Sequence, residues 1–452
     1  MAAVPTRNAH DPSLDPRSND RRKIRRPVRY EVVKHAAIRS ALVLLVAVVA
    51  ACSIEPERGE APRAATETTK TTASRSETTS TTVSRPASFE VALRLRELSP
   101  RVAEPVAIAT RAGTEDFFVA SRTGRVTRLT RRVRYDRQNR KLVADPIQGP
   151  TFGTLTRRPT TEDALGGLVS IAFSFDGRKL YSSEVAEGSL VVRVHEVEED
   201  RVDSRSETRL FELEVEDVSR AGGWLTIGRD GFLYVGVGDG GPSGERSGAP
   251  SDESSLLGSL LRIDPEVPVE GTPFSIPASN PWVRKGGAAP ALWLKGVRLP
   301  WRFSFDRERG DLWLVDVGDR VQEINHLPAD DGAGRGGNLG WPRVEGRAPE
   351  GTELPVGYRE PIHVLETQGG CRIVGGFPYR GRAIPELVGT YVFSDTCSGV
   401  LRGLYVSGGD EVTVEPLNVG TLTGGIATFA EDRSGELFVA TVDGRIFALE
   451  RA

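Results

Sequence analysis

The sequence predicts an all-β fold, a six-bladed β-propeller, and three observations carry that expectation. The 452 residues include 49 Gly and 29 Pro, so 78 turn-formers interrupt a chain that is 38% hydrophobic; that balance suits many short strands better than long helices. One element recurs six times, an aromatic set in a short apolar run that follows a polar or glycine turn, with copies at Phe118, Tyr181, Tyr234, Trp313, Tyr391 and Phe438. The spacings between copies are 63, 53, 79, 78 and 47, a mean of 64 residues, which is room for four strands of about five to six residues and their loops.

The first 52 residues read as an export signal. Residues 1–40 carry ten Lys or Arg against four Asp or Glu, whereas the whole chain has a formal net charge of −3. An apolar run from Ala41 to Ala51 follows the basic stretch and ends at Cys52. It is too short to cross a hydrocarbon core, which takes about 20 helical residues, but a charged, then apolar, then small-residue pattern is that of a secretory signal. Val49-Ala50-Ala51-Cys52 resembles the lipobox of bacterial lipoproteins, which implies a lipid on Cys52 and attachment to the outer face of a membrane. From residue 53 to 87 the chain is rich in Thr, Ser and Glu with few large apolar side chains, so it is expected to be a disordered tether.

The propeller is expected over residues 88–452. Each repeat is entered from a tight turn (Asp176-Gly177, Asp230-Gly231, Gly310-Asp311, Gly389, Gly435-Glu436), and each must bury an aromatic face. Radial repetition covers each sheet with its neighbour and protects strand edges. A two-sheet sandwich with coincidental turns is the competing architecture. The body is mildly acidic once the basic leader is set aside, which disfavours a nucleic-acid partner. Only Cys371 and Cys397 remain in the body of an exported chain, and they are expected to form a disulfide. No Cys-x-x-Cys occurs, which removes thiolate zinc sites and dithiol redox chemistry.

Several segments carry a family resemblance. GVRLPWRFSFDRERGDLWLVDVGDRVQEIN (296–325) followed by GGNLGWP (336–342), together with GGWLTIGRDGFLYVGVGD (222–239), LLGSLLRIDP (256–265), CRIVGGFPYRG (371–381) and GTYVFSDTCSG (389–399), resemble the glucose/sorbosone dehydrogenase family. The resemblance implies a six-bladed propeller, an aldose dehydrogenase activity dependent on pyrroloquinoline quinone (PQQ), and calcium. Hedgehog-interacting proteins share the signature.

Residue by residue, the resemblance implies a mixed site. Arg220 stands where the family's quinoproteins have the histidine that takes the sugar hydroxyl proton, and a guanidinium does not accept a proton near neutral pH. Of the histidines beyond the signal, His195 reads as structural. Arg298 matches a family arginine, and Leu299 replaces the asparagine after it. Arg380 falls at a basic quinone-binding position. Glu323 and the Leu339 carbonyl correspond to calcium ligands, with Asp239, Asp316 and Asp319 as nearby carboxylates that could join them or merely form turns. Arg220, Arg298 and Arg380 are expected to converge on one end of the propeller axis, where planar donors suit carboxylate or phosphate.

Two function classes follow: an exported quinoprotein that oxidises a sugar-like substrate, and a non-catalytic propeller that binds an anionic ligand or a cell-surface component. A metal-dependent propeller hydrolase is a third.

Overall fold

In the computed structural model the described residues run from 86 to 452, except 99–100, 139–140, 156–165, 204, 243–247, 368 and 408–410. The signal segment, Cys52 and nearly all of the tether lie outside them.

The described residues form six four-stranded antiparallel sheets. Strand β1 (Leu93–Leu98) comes first in sequence and is used last in the ring. The first sheet is β2 (Pro105–Thr110), β3 (Phe117–Ser121), β4 (Arg125–Asp136) and β5 (Lys141–Thr154). The second is β6 (Gly167–Phe173), β7 (Lys179–Ala186), β8 (Ser189–Glu196) and β9 (Thr208–Glu214). The third comprises β10 (Gly222–Ile227), β11 (Leu233–Val237), β12 (Ser259–Ile263) and β13 (Leu292–Lys295). The fourth has β14 (Pro300–Phe305), β15 (Leu312–Val317), β16 (Val321–Leu327) and β17 (His363–Glu366). In the fifth are β18 (Ile373–Pro378), β19 (Tyr391–Asp395), β20 (Val400–Val406) and β21 (Val412–Thr421). The sixth combines β22 (Ile426–Glu431), β23 (Leu437–Thr441) and β24 (Ile446–Arg451) with β1 as its outermost strand. First strands touch in a closed cycle, β2 to β6, β10, β14, β18, β22 and back to β2, so the sheets are the blades of a six-bladed propeller and the sandwich is set aside.

The six repeated aromatics all fall on the second strand of a blade, and all are buried. Their place there explains the repeat, because a second strand is covered by neighbouring blades on both faces. Ring pairs cross the blade boundaries: Phe118 to Phe173 at 4.8 Å, Tyr234 to Phe305 at 4.8 Å, Trp313 to Tyr391 at 4.5 Å and Phe117 to Phe438 at 4.5 Å. Such pairs add roughly 0.5–1.5 kcal/mol each beyond area burial.

The turns from first to second strand show why the Asp-Gly signal repeats. Asp176, Asp230, Asp306 and Asp432 each accept a hydrogen bond from the backbone N–H two residues on, to Arg178, Phe232, Glu308 and Ser434. A glycine with positive φ then completes each turn, at Gly177, Gly231, Gly310 and Gly435. The opposite end of each first strand carries an irregular register against its neighbour in all six blades. Bulges of this kind re-aim side chains, and here they do so around the axis at one mouth of the ring.

Cys371 and Cys397 are joined in a disulfide between the start of β18 and the turn after β19. Closing a separation of 26 residues should stabilise the fold by about 3 kcal/mol in the chain-entropy account. Urea unfolding of the oxidised chain and of Cys371→Ser/Cys397→Ser is expected to differ by that amount, and equal midpoints would contradict it.

Candidate functional site

The mouth holds a cavity of about 390 Å³, lined among others by Val106, Val169, Trp301, Arg302, Arg372 and Ala427. Val106, Val169, Trp301 and Ala427 occupy the register breaks of β2, β6, β14 and β22. The bulges therefore build the cavity wall.

Arg220 sits at the last position of a short 3-10 turn, Val218–Arg220, that leads into β10. It is buried, and its Nε donates to Asp239 Oδ1 at 2.8 Å while its terminal nitrogen donates to Asp239 Oδ2. Asp239 is wholly buried and also accepts from Trp341 Nε1 at 3.0 Å and Gly241 N at 3.1 Å. Gly238 lets the two loops meet: a Cβ there would lie 1.9 Å from the Arg220 carbonyl oxygen. The position expected to take a proton in the family's quinoproteins is thus one half of a bidentate ion pair.

Arg298 precedes β14 on the mouth side. Its backbone N–H and that of Leu299 clamp Asp316, at 2.9 and 2.7 Å. Its side chain reaches the Val317 carbonyl at 3.0 Å and Asp319, with the guanidinium 5.6 Å from the Trp341 ring centroid. Leu299 is buried in the apolar cluster with Trp313 and Val315.

Arg380 does not join them. It follows β18, whose mouth end is Ile373, and so lies at the far end of a six-residue strand, roughly 20 Å along it at 3.3 Å per residue. There it pairs with Asp306, through Nε at 2.9 Å, in the inner turn of the preceding blade. The expected convergence of Arg220, Arg298 and Arg380 is corrected accordingly: Arg380 ties two blades together at the opposite end. Two further guanidiniums, Arg302 and Arg372, line the mouth cavity, and sequence reasoning missed them. Strand alternation cannot point Arg302 inward, because the register breaks between Pro300 and Arg302. A usable signal did exist, a lone arginine inside an apolar first strand.

Glu323, on β16, is cross-strand partner to Asp316 on β15, and both are buried. Gly346 N donates to Glu323 Oε1 at 2.6 Å, while Oε2 has no partner. Burial, reinforced by the other's charge, raises the pKa of Glu323; burial likewise raises that of Asp316. The loop that brings Gly346 also carries Leu339, whose N–H donates to the Lys295 carbonyl. Among the described residues no three His, Cys, Asp or Glu side chains gather as a ligand group, so a cation here would rest on Glu323, with carbonyls and water completing the six to eight oxygens calcium takes. An orphaned buried carboxylate oxygen beside a second buried carboxylate fits such an ion. The quinone fits less well, since positions 220, 299 and 380 are respectively ion-paired, apolar and at the wrong end. His195 is buried in β8 against Ser182, and burial pushes its pKa down to about 4; it remains a structural residue.

Comparison with known proteins agrees with the fold. The family model described as Glucose / Sorbosone dehydrogenase matches residues 102–448. HIPL2 protein of Arabidopsis thaliana is 32% identical over 213 residues, which cover 41% of this chain and 30% of that protein. Hedgehog-interacting protein of Homo sapiens is 30% identical over 250 residues, covering 53% of this chain and 33% of its own length; the chain thus spans about a third of each relative. The PQQ-bound aldose sugar dehydrogenase of Streptomyces coelicolor superposes with a TM-score of 0.56 at 21% identity, over 81% of this chain and 99% of that one. With 102–448 matched, the chain belongs to the glucose/sorbosone dehydrogenase family.

Proposed function

We propose that this is an exported propeller, tethered by a lipid on Cys52, that binds a sugar-like ligand at its mouth and holds calcium at Glu323 without the histidine-driven oxidation of the family's quinoproteins. The observation that carries this reading is the Arg220–Asp239 pair sealed by Trp341. A guanidinium so held is a fixed positive charge, able to orient an acceptor atom and unable to take a proton. Reconstitution with PQQ and calcium, followed by dye reduction with a panel of aldoses, tests it. The expected result is no turnover; sustained aldose-dependent reduction would overturn it.

Sugar oxidation with PQQ is the second reading, favoured by the orphaned Glu323 oxygen, since calcium there would serve a quinone as it would any polar ligand. It needs a different proton acceptor. Asp217 is one carboxylate beside the mouth, next to the lining residues Val218 and Ser219. Burial works to raise its pKa, but Ser219, donating from its backbone N and its hydroxyl, and the neighbouring Arg220 hold it below the usual carboxylate range. Under this reading Arg220→His with PQQ and calcium raises turnover. Under the first it does not, because the histidine meets no positioned quinone.

Calcium binding is expected on either reading. An ion that binds only the folded state stabilises it by about 2.7 kcal/mol at a concentration a hundred times its Kd. Calcium should raise the melting temperature of the parent chain and leave that of Glu323→Gln unmoved; equal shifts in both would remove Glu323 from the site.

A further inference from the structure

Arg302 is an unusual charge for the centre of a protein. It projects from β14, is 5% exposed, and lines the mouth cavity. Its terminal nitrogens donate only to carbonyls: Trp301 at 2.8 Å, and, from blades across the ring, Val106 at 3.3 Å and Ala427 at 3.4 Å. Its Nε has no hydrogen-bond partner, and no carboxylate pairs with it in the described structure. The guanidinium carbon lies 4.2 Å from the Trp224 ring centroid and 4.6 Å from that of Trp301. Arg372 approaches Trp301 as well, at 5.0 Å. Burial, and after it the charge of Arg372, push the Arg302 pKa down to about 9, so it is still a cation at neutral pH.

A buried charge without a counter-charge is costly, and the cost is ordinarily relieved by pairing. Three other arginines of this fold follow that rule: Arg220, Arg298 and Arg380 each meet an aspartate. Around the cavity the other charges are few. Arg298, itself paired with Asp319, bears on Arg372, and Asp217 offsets part of that charge. Glu104 and Arg122 contribute one charge of each sign at the rim. Among the residues that line the cavity, three arginines, Arg122, Arg302 and Arg372, thus face one carboxylate, Glu104.

We propose that Arg302 and Arg372 form an oxyanion site that takes the carboxylate or phosphate group of an acidic sugar derivative, with the Trp301 ring beside it as an apolar platform for the sugar body. This rests on the reading that the mouth holds a sugar-like ligand, and it specifies that ligand's charge. The planar forks of two guanidiniums match the oxygens of either group, and the cavity, at about 390 Å³, is in the range of small-molecule sites.

Calorimetric titration of the calcium-loaded mature chain with glucuronate, glucose 6-phosphate and glucose tests the inference. At least one acidic sugar should bind about tenfold or more tightly than glucose, and the tighter of the two names the source of the oxyanion. Arg372→Gln should remove that preference, and Arg372→Lys should recover it in part. Arg302→Met should remove it too; Arg372, at the cavity wall, keeps the test open if the axial variant fails to fold. Glucose binding as tightly as both acids would overturn the inference and leave the ligand-binding reading intact. Acid-selective binding accompanied by aldose oxidation would do the reverse. Absence of binding by all three sugars, or a preference unchanged in Arg372→Gln, would also overturn it.

Discussion

A chain that begins at residue 99 is expected to lose its cooperative fold. Strand β1 supplies the outer edge of the sixth blade, with six residues in antiparallel register against β24 from Leu93 opposite Arg451 to Leu98 opposite Ile446. It joins the two ends of the propeller in one sheet, so the ring is held shut by a strand from the propeller's start and three from its end. Phe89, Val91, Leu93 and Leu98 are all buried. At roughly 1.5–3 kcal/mol each they represent about 6–12 kcal/mol of transfer free energy, an upper estimate because unfolded chains bury some apolar surface. Net stabilities of domains are about 5–15 kcal/mol, so the segment from Phe89 to Leu98 contributes on the scale of the whole. Truncation should give insoluble protein or a broad, non-cooperative melt, while Leu93→Ala in the longer chain should cost about 2–5 kcal/mol. A truncated chain that melted sharply at the parent temperature would show that the ring closes without β1.

The same physics that makes β1 necessary explains what the sequence discloses. The six-fold repeat was legible because each second strand is covered on both faces and must present a large ring to its neighbours, so Phe118, Tyr181, Tyr234, Trp313, Tyr391 and Phe438 mark one blade apiece. Turn chemistry was equally legible at Asp176-Gly177 and Asp230-Gly231, where side chain and glycine are adjacent, whereas at Asp306 and Asp432 only the closing glycines, Gly310 and Gly435, stood out. Closure by β1 was not, since Leu93, Leu95 and Leu98 give no sign of pairing with a strand about 350 residues away. The placement of the candidate site residues was legible only in part, for a related reason. Arg220, Arg298 and Glu323 lie at the mouth end of their blades, as their motifs imply. Arg380 lies beyond the far end of its strand, and a motif alone does not say at which end of a strand a neighbouring residue falls. Arg302 was missed because a bulge defeats strand alternation there, and Arg372 because it precedes the first residue of its strand, where no alternation applies.

The Arg220–Asp239 pair gives the largest single-residue effect expected at the mouth. Arg220→Ala would leave Asp239, wholly buried, with only Trp341 Nε1 and Gly241 N as donors. Breaking one side of a buried pair commonly costs about 3–5 kcal/mol, most of it the penalty of the charge left behind. Asp239→Asn should cost less than Arg220→Ala, because the neutral amide keeps an acceptor for Trp341 and for the Arg220 side chain. The double variant should be more stable than the two single losses combined predict, since removing both charges removes the unpaired one, and a coupling of about 1–3 kcal/mol is the signature of direct contact. Urea midpoints of the four chains at constant slope measure this cycle. Additive losses, or a loss below about 1 kcal/mol in Arg220→Ala, would mean that the pair does not hold the loop. The guanidinium would then be free to serve the ligand, and the reading of position 220 as a locked structural charge would fall with it.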